Sequence, residues 1–381
     1  MRSTMAFLLL LLLAGCRGNM TRSGETAGDT LAMKYAQNIT IVSFPGYTKV
    51  SLTDPWKHGQ VLHEYLLADS LRLDSLRHSS ANDGRATLVR VPLCRSVVFN
   101  TAHASLIGML HATKAIVGVA DLEYMQLPEI HRLVGEGVIA DCGNSMSPDV
   151  ERIIDLRADA VLLSPFENSG GYGRLEEIGV PIIECAEYME TSALGRAEWM
   201  RFYGLLFGCQ AESDSLFAEV ERQYLSISDQ ARRSLPRRSI MTEKLTGSTW
   251  YVAGGKSTVS QLVADAGGDY PWAEDDHSGS LPLTFEQVLD HAGETDVWVF
   301  NDLAPQPLTY EQLAAEFHGY RQLRAFREKQ VWYVNSLRVP YFEEVSFRPD
   351  FLLADYVRIL HPELHVPGRM RYFRQVISNV K

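Results

Sequence analysis

Apolar residues recur at helical spacing through residues 191–236, in the middle of a chain that elsewhere alternates short β-branched runs with amphipathic segments. Trp199, Phe202, Tyr203 and Leu206 fall at i, i+3, i+4 and i+7, one face of a helix, and Gly208 is placed to end it. Glu212, Ser213 and Asp214 suit a second helix start. Leu216, Phe217, Val220, Tyr224 and Ile227 then hold the 3.6-residue period until Pro236 stops it. A helix over Glu212–Ser234 would span roughly 34 Å, about the width of a small domain. Two consecutive helices with no strand between them predict a strut, with an α/β lobe hanging from each end and a ligand between the lobes.

On the N-terminal side, Ile39–Phe44, Lys49–Leu52, Val61–Leu67 and Thr87–Val91 read as strands of a β appendage, and the polar stretch Asp69–Gly84 reads as a loop. Alternation then begins. Ser96–Phe99, Ala115–Val119, Ala160–Leu163 and Pro181–Ile183 read as strands, separated by helices at Ser105–His111, Pro148–Leu156 and Leu175–Ile178. After Pro236 the plan resumes, with strands at Ser239–Met241, Thr249–Val252, Val297–Phe300 and Val331–Val334. Helices fall at Ser260–Ala266, Phe285–Asp290, Pro349–Leu360 and over most of Tyr310–Phe326. Strands separated by helices imply mostly parallel sheets. The halves echo one another: Glu151-Arg-Ile-Ile-Asp155 precedes Asp159 and the strand of Val161, and Glu286-Gln-Val-Leu-Asp290 precedes Asp296 and the strand of Val297. The expected fold is therefore α/β, two mostly parallel-sheet lobes joined by a long rigid helix with a ligand cleft between them. It divides into signal and tether (1–33), N-terminal lobe with β appendage (34–190), connecting helices (191–236) and C-terminal lobe (237–381).

The net charge of -11 argues against nucleic acid as a partner. Arg2, the apolar run Ala6–Leu13 and Leu13-Ala14-Gly15-Cys16 form an export signal ending in a lipobox-like site, with Cys16 as the residue lipidated. A plain signal peptide is the alternative. Arg17–Asp29 is polar and Gly-rich, as a tether would be. One lipid anchor and no spanning helix place the protein on a membrane, on its periplasmic side. Cys94, Cys142, Cys185 and Cys209 show no metal-type spacing and read as free, buried thiols.

The succession of segments resembles the periplasmic binding proteins of iron-siderophore, haem and vitamin B12 importers, from about Arg90 to the C-terminus. The resemblance is carried by Arg95-Ser-Val-Val-Phe-Asn100 leading into Thr101-Ala-His-Ala-Ser105, and by Ile116-Val-Gly-Val119. Ser147-Pro-Asp-Val-Glu-Arg-Ile-Ile154, the paired helices and Phe285-Glu-Gln-Val-Leu289 complete it. The Asn38–Arg90 appendage departs from that family's usual start. The resemblance implies a lipid-anchored receptor, a monomer without cofactor or catalytic residues, that delivers an iron chelate or corrinoid to an ABC permease and its ATPase. It assigns one docking carboxylate to each lobe, Glu151 and Glu286, where a solvated helix face is the alternative.

Ligand in such a fold sits in the crevice at the strand ends. Candidates in the first lobe are Thr101, His103, Asp121, Tyr124, Ser164, Phe166, Glu167 and Tyr172. In the second they are Trp250, Tyr251, Lys256, Trp272, Asn301, Asp302, Asn335, Arg338 and Tyr341. Tyr and Trp offer flat surface with a polar edge to a macrocycle or aryl chelate, and Lys256 and Arg338 suit anionic groups. Each aromatic taken singly is more often a core residue. Glu190, Arg196, Glu198 and Trp199 fall on the hinge side, where structural pairing is expected. Gly254-Gly-Lys-Ser257 lacks the first glycine of a P-loop, that position being Trp250, so it reads as a strand-to-helix turn whose N–H groups suit an anion. Bare-metal binding has only His103 in its favour. Two other functions stay open: a tetrapyrrole-processing enzyme built on the same lobes, and a surface assembly component without small-molecule affinity.

Overall fold

The computed structural model describes residues 28–57, 59–82, 84–167 and 171–378. The signal and lipidation readings, Cys16 included, lie outside the described residues. An N-terminal sheet runs in the order β1 (Asp29–Leu31), β2 (Ile39–Phe44), β3 (Tyr47–Thr53), β4 (Val61–Ala68), β5 (Thr87–Arg90). Its pairs are antiparallel except β4–β5, which is parallel. That last crossover contains helix α1 (Ser70–Arg77) in the stretch read as a loop. Asp69 caps it by accepting from the Leu71 and Arg72 amides. Only Leu76 of α1 is buried, so no apolar period marks the helix in the sequence. Strand β1, in turn, lies within the segment read as tether.

The first lobe is built on an all-parallel sheet. It comprises β6 (Ser96–Val98), β7 (Ile116–Val119), β8 (Ala140–Asp141), β11 (Ala160–Leu163) and β12 (Ile182–Glu184), in the order β12-β11-β6-β7-β8. Helices α2 (Thr101–Met109), α3 (Pro128–Gly135), α4 (Val150–Asp155) and α5 (Arg174–Glu177) provide the crossovers. A small hairpin, β9 (Gly143–Asn144) and β10 (Ser147–Pro148), follows β8. All residues of β6, β7 and β11 are buried, as expected of strands covered on both faces.

The connector consists of α6 (Ala193–Glu198), α7 (Met200–Phe207) and α8 (Gln210–Arg232). Gly208, at φ 68°, ends α7, and α8 runs unbroken. Trp199, Phe202, Tyr203 and Leu206 have no exposed surface. The second lobe has its own sheet of β13 (Ile240–Thr242), β17 (Val297–Asp302), β18 (Val331–Asn335) and β19 (Phe373–Gln375), parallel except for β19. A three-stranded antiparallel sheet of β14 (Leu245–Thr246), β15 (Thr249–Ala253) and β16 (Ser280–Leu283) follows the C-terminal end of β13. Around them lie α9 (Thr258–Asp265), α10 (Phe285–Ala292), α11 (Tyr310–Glu316), α12 (Arg324–Arg327), α13 (Tyr341–Glu344) and α14 (Pro349–Leu360). The expected helix over 310–326 divides at the 3-10 turn His318–Gln322. The two lobe sheets share no strand.

The internal echo has a physical basis. Asp159, just before β11, accepts the Cys94 and Arg95 amides that lead into β6. Asp296, just before β17, accepts the Ser239 amide and hydroxyl that lead into β13. Each carboxylate satisfies backbone donors at the start of the neighbouring parallel strand.

The N-terminal segment is fastened across the connector. Buried Glu198 accepts the Lys34, Tyr35 and Ala36 amides, and buried Glu190 accepts those of Gln37 and Asn38 and the Trp199 indole. Glu221 of α8 receives the Lys34 ammonium and the Tyr35 hydroxyl, which together hold its carboxyl below the ordinary range. The structural pairing expected on the hinge side is present between Glu190 and Trp199, and Glu198 also faces Arg201 (3.7 Å), but most partners of the two carboxylates are backbone amides. All four described cysteines are free; Cys94 is exposed, contrary to the buried reading, while Cys142 and Cys185 are buried.

Candidate functional site

Seven of the fourteen exposed large apolar side chains among the described residues lie around the strand ends of the two lobes. Tyr124 follows β7, Met146 tips the β9–β10 hairpin and Phe166 follows β11. In the second lobe Leu303 follows β17, Leu337 follows β18, Phe342 lies on α13 and Tyr251 lies on β15. A groove of about 440 Å³ beside the first lobe's strand ends is bounded by Phe99, Met146, Leu163, Phe166 and Tyr172. Exposed apolar surface beside a groove makes this the candidate binding region.

The lobes meet directly beside it. Thr101, at the first turn of α2, donates to Glu343 of α13 (2.9 Å), and the same carboxylate oxygen accepts the Gln126 amide (2.7 Å). Glu343 is buried. On the hinge side the Thr258 hydroxyl donates to the Glu190 carbonyl (3.0 Å).

Of the residues singled out in the sequence, Tyr124, Phe166, Glu167 and Tyr251 are exposed at strand ends or, for Tyr251, on β15. Asp121 has a left-handed backbone and uses its carboxylate to accept the Ser145 amide, holding the β9–β10 hairpin over β7. Ser164 accepts from the Asn100 amide group. Tyr172 donates to Glu184 (2.6 Å), and burial followed by that carboxylate raises its hydroxyl far above the ordinary range. Burial, with the Glu243 carboxylate nearby, pushes the Tyr341 hydroxyl up to about 12.

Other candidates sit elsewhere. His103 is wholly buried on α2, bonded to Glu187 (2.9 Å), because it falls on the face of α2 turned into the core. Trp250 is wholly buried, its indole donating to the Thr242 carbonyl, and Trp272 is buried against Tyr270 and His291. None of the three offers a ligand much surface. Asn335 is buried and shapes its own turn through the Ala304 carbonyl and the Leu337 amide. Arg338 holds the Pro305 carbonyl (2.9 Å), Lys256 faces solvent near Asp276, and Asp302 is paired with Lys244 (2.8 Å). Asn301 keeps a buried amide oxygen with no partner. Among the described residues no group of three or more His, Cys, Asp or Glu side chains is arranged to hold a metal ion.

Sequence reasoning missed Met146, Leu303, Leu337, Phe342, Glu343 and Glu243. The usable signal was position: an apolar side chain within two residues of a buried strand's C-terminal end has little core left to enter. Glu243, just after β13, has a left-handed backbone, and burial lifts its carboxyl above the ordinary range; among the described residues it has no ion-pair partner.

Glu151 and Glu286 occupy matching places, each in the first turn of the helix that precedes the strand paired in parallel with its lobe's first strand, α4 before β11 and α10 before β17. Both are exposed. Glu151 is paired with Arg174 (2.6 Å), which holds its carboxyl below the ordinary range.

Two α/β lobes on a helical connector define a two-lobe solute-binding architecture. Residues 97–336 match the family described as periplasmic binding protein, and the chain belongs to it. An uncharacterized lipoprotein of Methanocaldococcus jannaschii is 23% identical over 294 residues, covering 75% of this chain and 69% of the relative. Among solved structures, a periplasmic haem-binding protein of Pseudomonas aeruginosa aligns with a TM-score of 0.57 at 16% identity, over 76% of this chain and 99% of that one. A periplasmic catecholate-siderophore binding protein of Vibrio cholerae aligns with a TM-score of 0.54 at 17% identity, over 69% and 92%. The family is one of substrate-binding proteins that serve ABC transporters. Among the described residues no helix is long and apolar enough to cross a membrane.

Proposed function

We propose that this chain captures an iron(III)-siderophore or a related iron chelate between its lobes and delivers it to an ABC permease. In this reading it acts as a monomeric receptor, held at the periplasmic face of a membrane by lipid on Cys16. The observation that carries the reading is the set of exposed apolar and aromatic side chains at the strand ends of both lobes, Tyr124, Met146 and Phe166 on one and Leu303, Leu337 and Phe342 on the other. Broad apolar faces of this kind suit an aryl-lined chelate, which brings its own metal ligands and asks only for surface and a few polar anchors.

Glu151 and Glu286 would engage cationic side chains of the permease, one per lobe, setting orientation and speeding association. Their exposure and matching positions support this role. Haem is the second reading, favoured by the fold shared with the haem-binding protein of Pseudomonas aeruginosa. A corrinoid would use the same flat surfaces.

The absorbance spectrum of the protein purified from its own host tests the reading. An iron–catecholate or hydroxamate charge-transfer band supports the chelate. A Soret band or a corrin spectrum moves the assignment to haem or cobalamin. Conversion of any bound tetrapyrrole by the purified protein would replace the receptor with an enzyme.

A further inference from the structure

A separate cavity of about 350 Å³ lies on the hinge side, between the start of the connector and the second lobe. Tyr341 and Val345 line it, whereas Glu343, on the same short helix, turns to Thr101 and Gln126. Helix α13 thus stands between this cavity and the first lobe's strand ends.

Arg196 lines the cavity. Its guanidinium donates to the Tyr188 and Glu190 carbonyls, and among the described residues no carboxylate is in salt-bridge contact with it and nothing pairs with its Nη1. Burial lowers its pKa, opposed most strongly by the charge of Glu187. Of the two nearby carboxylates, Glu187 bonds His103 through Oε1 and leaves Oε2 buried without a partner, and Glu190 accepts the amides of Gln37 and Asn38 and the Trp199 indole. Across the cavity, Ser257, Thr258 and Val259 form its wall at the N-terminus of α9. The Ser257 side chain caps the Ser260 amide, and the Thr258 and Val259 amides, at the first positions of the helix, have no acceptor in the turn. Ala193, Leu262 and Leu352 supply apolar wall. A guanidinium with a free donor face and two helix amides without a protein acceptor around one half-open cavity are complementary to a planar oxyanion.

We propose that this cavity is a second binding site, for a small organic acid: a carboxylate against Arg196 and the α9 amides, with a compact apolar body against Ala193, Leu262 and Leu352. Its volume is near the small end of ligand pockets, which suits a compact acid. The occupant touches the connector and the second lobe together, so it braces the hinge without entering the strand-end mouth.

The test uses the protein without its signal segment and 4-fluorobenzoate as probe, followed by fluorine NMR. Saturable binding is expected. It should weaken about tenfold or more in Arg196→Met and for the neutral analogue 4-fluorobenzamide, the loss expected of one charge-assisted contact. Val345→Phe, which fills the cavity and leaves every charge in place, should also abolish it. The Val345→Phe protein serves alone if Arg196→Met does not fold. Absence of saturable binding to the parent, equal binding of acid and amide, or binding undiminished in folded Val345→Phe overturns the proposal. Haem or an iron–catecholate chelate added at saturation should leave the probe bound; displacement would place the probe in the strand-end mouth and overturn the second site while leaving the receptor reading intact.

Discussion

Thr101 and Glu343 join the two lobes by a hydrogen bond of 2.9 Å from the Thr101 hydroxyl to a buried carboxylate. The same oxygen takes the Gln126 amide, so a single side chain of the second lobe satisfies two donors of the first. Such a contact exists only while the lobes are together. Glu343→Ala should therefore shift the unliganded protein toward open arrangements, by about 2 kcal/mol for a charged acceptor lost from two part-buried donors. Small-angle scattering should report a larger radius of gyration for the variant. Identical profiles would mean that other contacts hold the lobes.

Glu198 fastens the N-terminal segment to the connector through three backbone amides. Glu198→Ala removes the acceptor for all three in a buried place, and a loss of about 3 kcal/mol or more is expected. The urea midpoint should fall markedly, and much less for Glu221→Gln, whose partners Lys34 and Tyr35 are nearer solvent. Equal shifts in the two variants would show that Glu198 adds nothing special to the strap.

Glu243 titrates in the opposite sense from a paired carboxylate. Burial raises its pKa in the folded state, so between the ordinary carboxylate value and the raised one the folded chain holds a proton that the unfolded chain has lost. Its contribution to stability falls as pH rises through that window, and the full penalty is present above the raised pKa. Glu243→Gln should thus stabilise the protein at about pH 8 and make no difference at about pH 4, below both values. Melting temperatures of the two proteins against pH check this; a constant difference across the range would mean that the carboxylate does not ionise within it.

Much of this architecture was legible in the chain. The connector stood out because Phe217, Val220 and Tyr224 repeat on one face of a long helix, and the lobes because buried parallel strands read as unbroken apolar runs. Helix α1 was invisible because it buries only Leu76. The candidate binding region was half legible. Loop position picked out Phe166 and Tyr124, but Trp250 and His103 are also large or polar residues near strand ends, and only the packing shows that they face the core. Glu343 could not be found in the sequence at all, since its partners Thr101 and Gln126 are more than 200 residues away.

Docking separates from ligand capture if Glu151 and Glu286 face the permease. The Glu151→Ala, Glu286→Ala double variant should bind ligand within about twofold of the parent while uptake in cells falls roughly tenfold or more. Breaking the exposed pair with Arg174 should matter little to folding. Lost ligand affinity in the double variant would show that these carboxylates belong to the binding site instead.

The most direct test is a fluorescence titration of the parent and of the Phe166→Ser, Phe342→Ser double variant with an iron(III)–catecholate chelate and with haem. Phe166 and Phe342 lie in different lobes and are both exposed. If the guest is held between the strand ends, the parent binds at least one probe saturably and the variant binds it about tenfold to hundredfold more weakly, as expected for lost apolar contact on both sides. Affinity unchanged by the double substitution, or a parent that binds neither probe, would contradict the account.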